Sequence, residues 1–247
     1  MKSATSKSTP SGSDAGEWRR WLTEHASYGL DYVAEAIAAA MNGSSAASVP
    51  WVEDSPQPAA MSWPRITRRA TVDVSPWVDL VAREVEFSPG AEPQIYHSVS
   101  TFDYVIVLAV TPDGRVPLVR QYRPAVEDFT LELPAGIIDA DEDPAVTASR
   151  ELLEETGLSS TSVHLLGVNR TDAGRLSNRV HCYFIRTGPQ VENFKPEDGL
   201  AIRFVTLPEL VEHIRAGKLD AQADLGTILL AVLLGSLKLH GSDQLTL

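Results

Sequence analysis

The amino-acid sequence predicts a mixed α/β fold in which a small antiparallel β module precedes the main domain. The first observation is a series of short β-rich runs, separated by turn sequences, that begins near residue 65. The second is that such runs alternate with helical segments in the C-terminal half of the chain. A length of 247 residues suits one large domain or two small ones, at ~150 residues per domain.

The first 64 residues differ in composition from the rest of the chain. Residues 1–16 are rich in Ser, Thr and Gly and predict a disordered tail. Residues 17–41 predict a helix, since Trp18, Trp21 and further apolar residues share one helical face. Residues 42–64 carry many Ser and Pro and predict a linker. The acid-poor start resembles an organellar transit peptide, but arginine and an apolar signal segment are absent there, so we expect a cytoplasmic protein.

The remaining elements follow from runs of β-forming residues and from helix start and stop signals. Residues 65–100 predict the β module, with strands over 70–74, 78–87 and 94–99. Residues 101–240 predict the main domain. Its predicted strands cover 102–110, 116–122, 130–133, 163–168, 180–185 and 202–207, and its predicted helices cover 144–156, 208–216 and 221–239.

The charge balance limits the classes of partner. There are 21 basic and 33 acidic residues, for a net charge of -12. Because such a surface repels phosphate backbones, we expect no nucleic-acid partner. The longest strongly apolar run covers residues 228–234, whereas a membrane-spanning helix needs ~20 residues, so we expect no membrane association.

A cluster of carboxylates marks one predicted helix. Asp143 and Pro144 form a typical helix start, and Gly157 is a typical stop. Three carboxylates, those of Glu151, Glu154 and Glu155, share an arc of about 100° on this helix. Like charges so close are destabilising unless they are neutralised. The cluster is therefore either a solvated acidic face or a site for a hard divalent cation such as Mg²⁺.

The residues around this helix follow one fixed spacing over 23 positions. The pattern is Gly136-x5-Glu142-x7-Arg150-Glu151-Leu152-x-Glu154-Glu155-x-Gly157-Leu158. It resembles the box of the Nudix hydrolase family, whose members cleave nucleoside diphosphates linked to another moiety. The resemblance implies an α/β/α sandwich around a mixed central sheet, with the box forming a loop, a helix and a second loop.

Six further segments resemble the ADP-sugar (ADP-ribose) pyrophosphatase branch of that family. They are residues 75–78, 95–99, 120–124, 132–136, 176–178 and 195–199. The resemblance implies hydrolysis of ADP-ribose to AMP and ribose 5-phosphate with Mg²⁺, or alternatively Mn²⁺, as the cofactor. Two alternatives stay open: hydrolysis of GDP-mannose, UDP-glucose or a dinucleoside polyphosphate, and a weakly active domain that senses a nucleotide.

The resemblance also implies roles for the box residues. Glu151 and Glu155 would bind the metal, and Glu154 would do so directly or through water. The carbonyl of Ala135 would be a further ligand. Arg150 would orient the glutamates through charge-assisted hydrogen bonds, and Glu142 would support the cluster from the preceding loop.

Substrate recognition is implied for residues outside the box. Trp77 and Tyr96 match two aromatic positions that sandwich the adenine, although each also suits ordinary packing. Arg123 matches an arginine that contacts the pyrophosphate, although it also suits a surface ion pair. In this branch the β module is exchanged between two subunits, which implies a homodimer.

The sequence departs from the branch at two positions. Leu200 stands where the branch usually carries the glutamate that acts as general base, and Thr101 stands where an arginine is common. Among nearby carboxylates we expect Glu197, with its longer reach, or Asp198 to act as the base. The alternatives are that both are solvated loop charges and that no carboxylate base is used.

Overall fold

The structure is a computed structural model that describes residues 52–53 and 63–238. The disordered tail expected over 1–16, the helix expected over 17–41 and most of the linker expected over 42–64 lie outside the described residues. The chain divides into two compact units between Thr101 and Phe102.

The first unit is a four-stranded antiparallel sheet with the strand order β1-β2-β3-β4. Its strands are β1 (Val52–Glu53), β2 (Arg65–Ser75), β3 (Val78–Glu86) and β4 (Gln94–Thr101). Because side chains alternate between the two faces of a strand, β2 buries Ala70 and Val72 against Leu80 and Ala82 of β3. The antiparallel β module predicted from the sequence is confirmed, but its first strand, Val52–Glu53, lies in the segment that was predicted as a linker.

The second unit contains two sheets. One is a mixed sheet with the order β8-β5-β10-β9, in which only β5 and β10 are parallel. The other is an antiparallel sheet with the order β11-β6-β7. The strands are β5 (Tyr104–Val110), β6 (Val116–Arg123), β7 (Asp128–Glu132), β8 (Ala135–Ile137), β9 (Leu158–Asn169), β10 (Val180–Gln190) and β11 (Ala201–Val205).

Three helices complete the described part of the second unit: α1 (Pro144–Thr156), α2 (Leu207–Arg215) and α3 (Gln222–Leu233). Strand β5 is buried on both faces, which explains its continuous apolar sequence. Val105 and Val107 pack with Leu152 of α1, whereas Ile106 and Leu108 belong to the cluster that includes Ile228 of α3. The mixed sheet therefore lies between helices, as the α/β/α prediction requires. No helix in the described ranges is long and apolar enough to cross a membrane.

Several element boundaries differ from the sequence prediction. Strand β8 was not predicted, because it has only three residues, two of which are Ala and Gly with low β propensity, and it forms by pairing with β5. Strand β9 begins at Leu158 instead of residue 163. Its first residues are mostly polar, and they belong to the strand because they pair with the C-terminal end of β10. Helix α3 ends at Leu233 instead of residue 239, because Gly235 adopts a left-handed conformation with φ 72°.

Candidate active site

Helix α1 is fixed at both ends by the residues expected to start and stop it. The Asp143 side chain accepts a hydrogen bond from the backbone N–H of Ala145 at 2.7 Å. At the other end, Gly157 adopts φ 71° and its N–H donates to the carbonyl of Leu153. The ring of Phe194 lies so close to Gly157 that a Cβ there would sit 2.4 Å from it. Both ends of the helix are therefore defined by specific contacts.

Arg150 lies at the centre of the carboxylate cluster. Its guanidinium donates hydrogen bonds to Glu142 at 3.0 and 3.2 Å, to Glu151 at 2.7 Å and to Glu154 at 3.1 Å. A planar guanidinium with five N–H donors is suited to hold several carboxylates at once. These bonds hold the pKa of Glu142 below its usual range. Arg150 therefore neutralises part of the repulsion that the sequence predicted for this cluster.

The Glu151 carboxylate lies against the backbone of β8. A Cβ placed on Gly136 would be 1.9 Å from Cδ of Glu151 and 2.1 and 2.3 Å from its two oxygens. Only a glycine leaves that space, so the first fixed position of the box has a direct steric explanation. The Glu151 side chain is 14% exposed, and burial raises its pKa although Arg150 opposes the shift.

Glu155 is the most deeply buried of the three glutamates on this face of α1. Its Oε2 accepts a hydrogen bond from the backbone N–H of Ala135 at 3.1 Å. Burial raises the pKa of Glu155 to about 8, and the charge of nearby Glu151 adds to the shift. A cation beside these carboxylates would favour their ionised forms. Glu151, Glu155 and Ala135 thus meet where α1 crosses β8.

Arg123 lies at the end of β6. It donates to both oxygens of Glu132, through Nε at 3.0 Å and through Nη2 at 2.6 Å. Burial opposes the ionisation of Glu132, but the hydrogen bonds from Arg123 and Thr130 hold its pKa below the usual range. Burial raises the pKa of Glu155, and the positive charge of Arg123 partly opposes this rise.

A family model for the NUDIX domain matches residues 101–224, half of the chain. This match covers the carboxylate cluster, Arg123 and both sheets of the second unit. The chain belongs to the Nudix family. The box geometry around Arg150 and Gly136 is therefore that of a Nudix domain.

Relatives within the Nudix family include ADP-ribose pyrophosphatases. That of Bacillus subtilis is 34% identical over 106 residues, which are 43% of this chain and 57% of that protein. That of Mycobacterium tuberculosis is 30% identical over 135 residues, 53% of this chain and 65% of that protein. The methanol dehydrogenase activator of Bacillus methanolicus is 31% identical over 136 residues, 54% of this chain and 66% of that protein.

The chain thus spans between half and two thirds of the length of these curated relatives. A solved structure of an ADP compounds hydrolase aligns with a TM-score of 0.60 at 20% identity, covering 72% of this chain and 97% of that one. This likeness shows the fold. The resemblance to the ADP-sugar pyrophosphatase branch is confirmed at the level of sequence similarity.

The Nudix glutamates do not form a preformed metal site. Within residues 63–238, no three side chains of Asp, Glu, His or Cys are grouped closely enough to hold a metal ion as they stand. Instead Arg150 holds Glu151 and Glu154, and Ala135 holds Glu155. The donors are nevertheless all oxygens, which a hard divalent cation prefers. The space that Gly136 leaves also lets the Glu151 carboxylate lie next to Ala135. The residues present therefore fit such a cation.

The two aromatic residues expected to bind adenine lie in the first unit and are exposed. Trp77 is 60% exposed in the turn before β3, and Tyr96 is 49% exposed on β4. Val78 pairs with Thr101 and Arg83 pairs with Tyr96, so Trp77 and Tyr96 lie six residues apart along the ladder. At ~3.3 Å per residue this is about 20 Å, so the two residues do not face each other within one sheet.

The carboxylates expected to supply the base lie in the loop between β10 and β11. Glu197 and Asp198 are both exposed there, and no hydrogen bond or ion pair in the described part of the chain joins them to α1. The loop itself is tied to the end of α1. Val191 donates to the carbonyl of Gly157 at 2.8 Å, and Phe194 packs on the same glycine. Glu197 is three residues beyond this contact.

Glu132 was not predicted as a functional residue. Glu132 pairs with Val119 in the β6-β7 ladder and so shares a face of the sheet with Gln121 and Arg123. A correct alignment of these two strands would have predicted that the three polar side chains lie together. That argument needs the pairing of two strands, which periodicity alone does not supply.

Proposed function

We propose that this protein hydrolyses the pyrophosphate of a nucleoside diphosphate sugar in a Mg²⁺-dependent reaction, with ADP-ribose as the substrate. Water adds across the P–O–P linkage and yields AMP and ribose 5-phosphate. The observation that carries the proposal is the carboxylate cluster of α1, in which Glu151 lies against Gly136 and Glu155 accepts a hydrogen bond from Ala135. These oxygen donors are suited to a divalent metal.

Four residues would hold the metal. Glu151, Glu155 and the Ala135 carbonyl would bind it, and Glu154, whose side chain is 52% exposed, would bind it directly or through water. The chemistry supplied by bound Mg²⁺ is positive charge that neutralises the pyrophosphate and lowers the pKa of a nearby water. Mn²⁺ would serve the same role.

The two arginines have separate tasks in this proposal. Arg150 orients the glutamates, since one guanidinium already contacts Glu142, Glu151 and Glu154. Arg123 binds the pyrophosphate with the donors that Glu132 leaves free. The bidentate bond to Glu132 restricts the rotation of the Arg123 side chain, so less conformational entropy is lost when a phosphate binds.

The general base is proposed to come from the loop between β10 and β11. The Val191 and Phe194 contacts tie this loop to the C-terminal end of α1, which is also the end that carries Glu154 and Glu155. Leu200 cannot accept a proton, whereas Glu197 and Asp198 can. Both are exposed and thus free to turn toward a bound substrate.

Adenine recognition is proposed to need two subunits. Because Trp77 and Tyr96 are separated along one sheet, a base held between them takes one ring from each protomer of a homodimer. Mixing Trp77→Ala protein with Tyr96→Ala protein tests this arrangement. Each heterodimer then contains one site with both aromatics, so the mixture should regain activity at low ADP-ribose. If the heterodimers form but regain no activity, the two rings of a site do not come from different chains, and the proposed arrangement is wrong.

The reaction is tested with a substrate panel of ADP-ribose, GDP-mannose, UDP-glucose and a dinucleoside polyphosphate, each with Mg²⁺, Mn²⁺ or EDTA. Products are separated by chromatography. We expect the highest kcat/KM for ADP-ribose and no turnover in EDTA. A higher kcat/KM for another nucleotide would contradict the substrate. Tight nucleotide binding without turnover on any compound would contradict the enzyme and support a sensor.

A further inference from the structure

Asp224, on the first turn of α3, is a buried carboxyl group that makes a long-range backbone contact. It is 3% exposed, and its Oδ2 accepts a hydrogen bond from the backbone N–H of Leu133 at 3.0 Å across 91 residues of sequence. Burying a carboxyl group costs free energy unless it is hydrogen-bonded. An apolar residue of similar size would avoid that cost, so packing alone does not explain an aspartate at this position.

The hydrogen bond between Leu133 and Asp224 lies in the segment that connects the two sheets. Leu133 and Pro134 are buried and connect β7 of one sheet with β8 of the other. Proline has no N–H, and the Pro134 carbonyl accepts from Val107 at 2.8 Å. The N–H of Leu133 has no partner strand in this segment. Without Asp224 it would be a buried donor with no acceptor, at a cost of ~1–3 kcal/mol.

The next residue along the chain is Ala135, whose N–H donates to Glu155 and whose carbonyl is a proposed metal ligand. A shift of the Leu133–Pro134 segment would therefore move both groups. We propose that Asp224 is a positioning residue that holds residues 133–135 in register with α1 so that the Ala135 carbonyl and Glu155 can bind the divalent cation together. This inference depends on the function proposed above.

The experiment compares Asp224→Asn, which keeps an oxygen acceptor, with Asp224→Leu, which keeps the volume and removes the acceptor. Asp220→Asn, on the exposed residue before α3, is the matched control. Hydrogen-exchange mass spectrometry of a peptide over residues 131–137 reports on the Leu133 and Ala135 amides. Mn²⁺ binding without substrate is measured by electron paramagnetic resonance, and kcat and KM are measured for ADP-ribose.

We expect D224L to exchange the 131–137 amides at least tenfold faster, to bind Mn²⁺ at least tenfold more weakly and to lose kcat while KM stays within threefold. D224N and D220N should stay within threefold of wild type in Mn²⁺ affinity, kcat and KM, and neither should exchange the 131–137 amides more than threefold faster than wild type. Rescue by D224N separates the acceptor from a general loss of packing. If D224L does not fold, D224A provides the same comparison.

Two results would overturn the inference. One is a folded D224L protein with wild-type Mn²⁺ affinity, and the other is a D224N protein as defective as D224L. A wild-type protein that binds neither Mn²⁺ nor Mg²⁺ would instead refute the proposed function. The amide exchange of D224L then still measures whether Asp224 holds the segment, so the two failures are distinguishable.

Discussion

Gly136→Ala should lower the catalytic rate by ~10²-fold while leaving the protein folded. The new Cβ would lie 1.9 Å from Cδ of Glu151, whereas carbon atoms in contact lie ~3.5–4.0 Å apart. The side chain of Glu151 must therefore move by about 1.5–2 Å. Because the colliding atoms are the end of a flexible side chain, the carboxylate yields and the backbone stays in place.

The two consequences of this shift differ in size. Misplacing a catalytic group by ~1 Å can cost ~10²-fold in rate, or about 2.7 kcal/mol of transition-state stabilisation. Stability changes little. Alanine reduces the entropy of the unfolded chain, which stabilises by ~0.4–1 kcal/mol, and losing the Arg150 bond to Glu151 offsets this gain. We expect the free energy of unfolding to stay within ~1 kcal/mol of wild type.

The assay is AMP release from ADP-ribose as a function of Mg²⁺ concentration, with urea unfolding measured on the same samples. Gly167→Ala is the matched control, since it lies on β9 and its Cβ would make only an ordinary contact at 3.6 Å. Wild-type kcat/KM in the Gly136→Ala protein would refute the reasoning. So would a loss of several kcal/mol of stability, because the backbone would then have moved instead of Glu151.

Three further predictions concern charge. Glu155→Gln should lower kcat by at least ~10²-fold, about 3 kcal/mol, and the residual rate should not respond to Mg²⁺. Glu197→Gln or Asp198→Asn should lower kcat at least ~10-fold, with the loss easing as pH rises; unchanged kcat from pH 6 to 9 in the double mutant would exclude both as the base. Burial raises the pKa of Asp224 from 3.8 to about 7, so its contribution to stability is full below pH 4 and is lost as pH rises toward 7. The Asp224→Asn protein should gain up to ~4 kcal/mol relative to wild type over that range in urea unfolding, and parallel pH curves would contradict the shift.

Local signals were enough to predict α1 and the glutamates on its face. Asp143, Pro144 and Gly157 act on the backbone within one helical turn, so their effect can be read directly from the sequence. The arc that carries Glu151, Glu154 and Glu155 follows from helical periodicity alone. The antiparallel β module was predicted for a similar reason, because its strands are joined in chain order.

The contacts that complete the site are long-range and could not be predicted in the same way. Glu151 of α1 lies against Gly136 because the pairing of β8 with β5 places β8 next to α1. The acceptor for Leu133 comes from a helix 91 residues away. Neither contact leaves a periodic pattern in the sequence, since each depends on which elements become neighbours in the fold.

The bonds that Arg150 makes to the carboxylate cluster have a consequence for how the protein would respond to its surroundings. The protein carries an internal counter-ion for its own acidic site. Removing a divalent metal would therefore leave a carboxylate cluster whose charge Arg150 still partly compensates. Chelation should then switch activity off reversibly. Proteins that fold around a metal ion instead unfold when the ion is lost. Supply of the cation would set the rate, while the amount of protein stays constant.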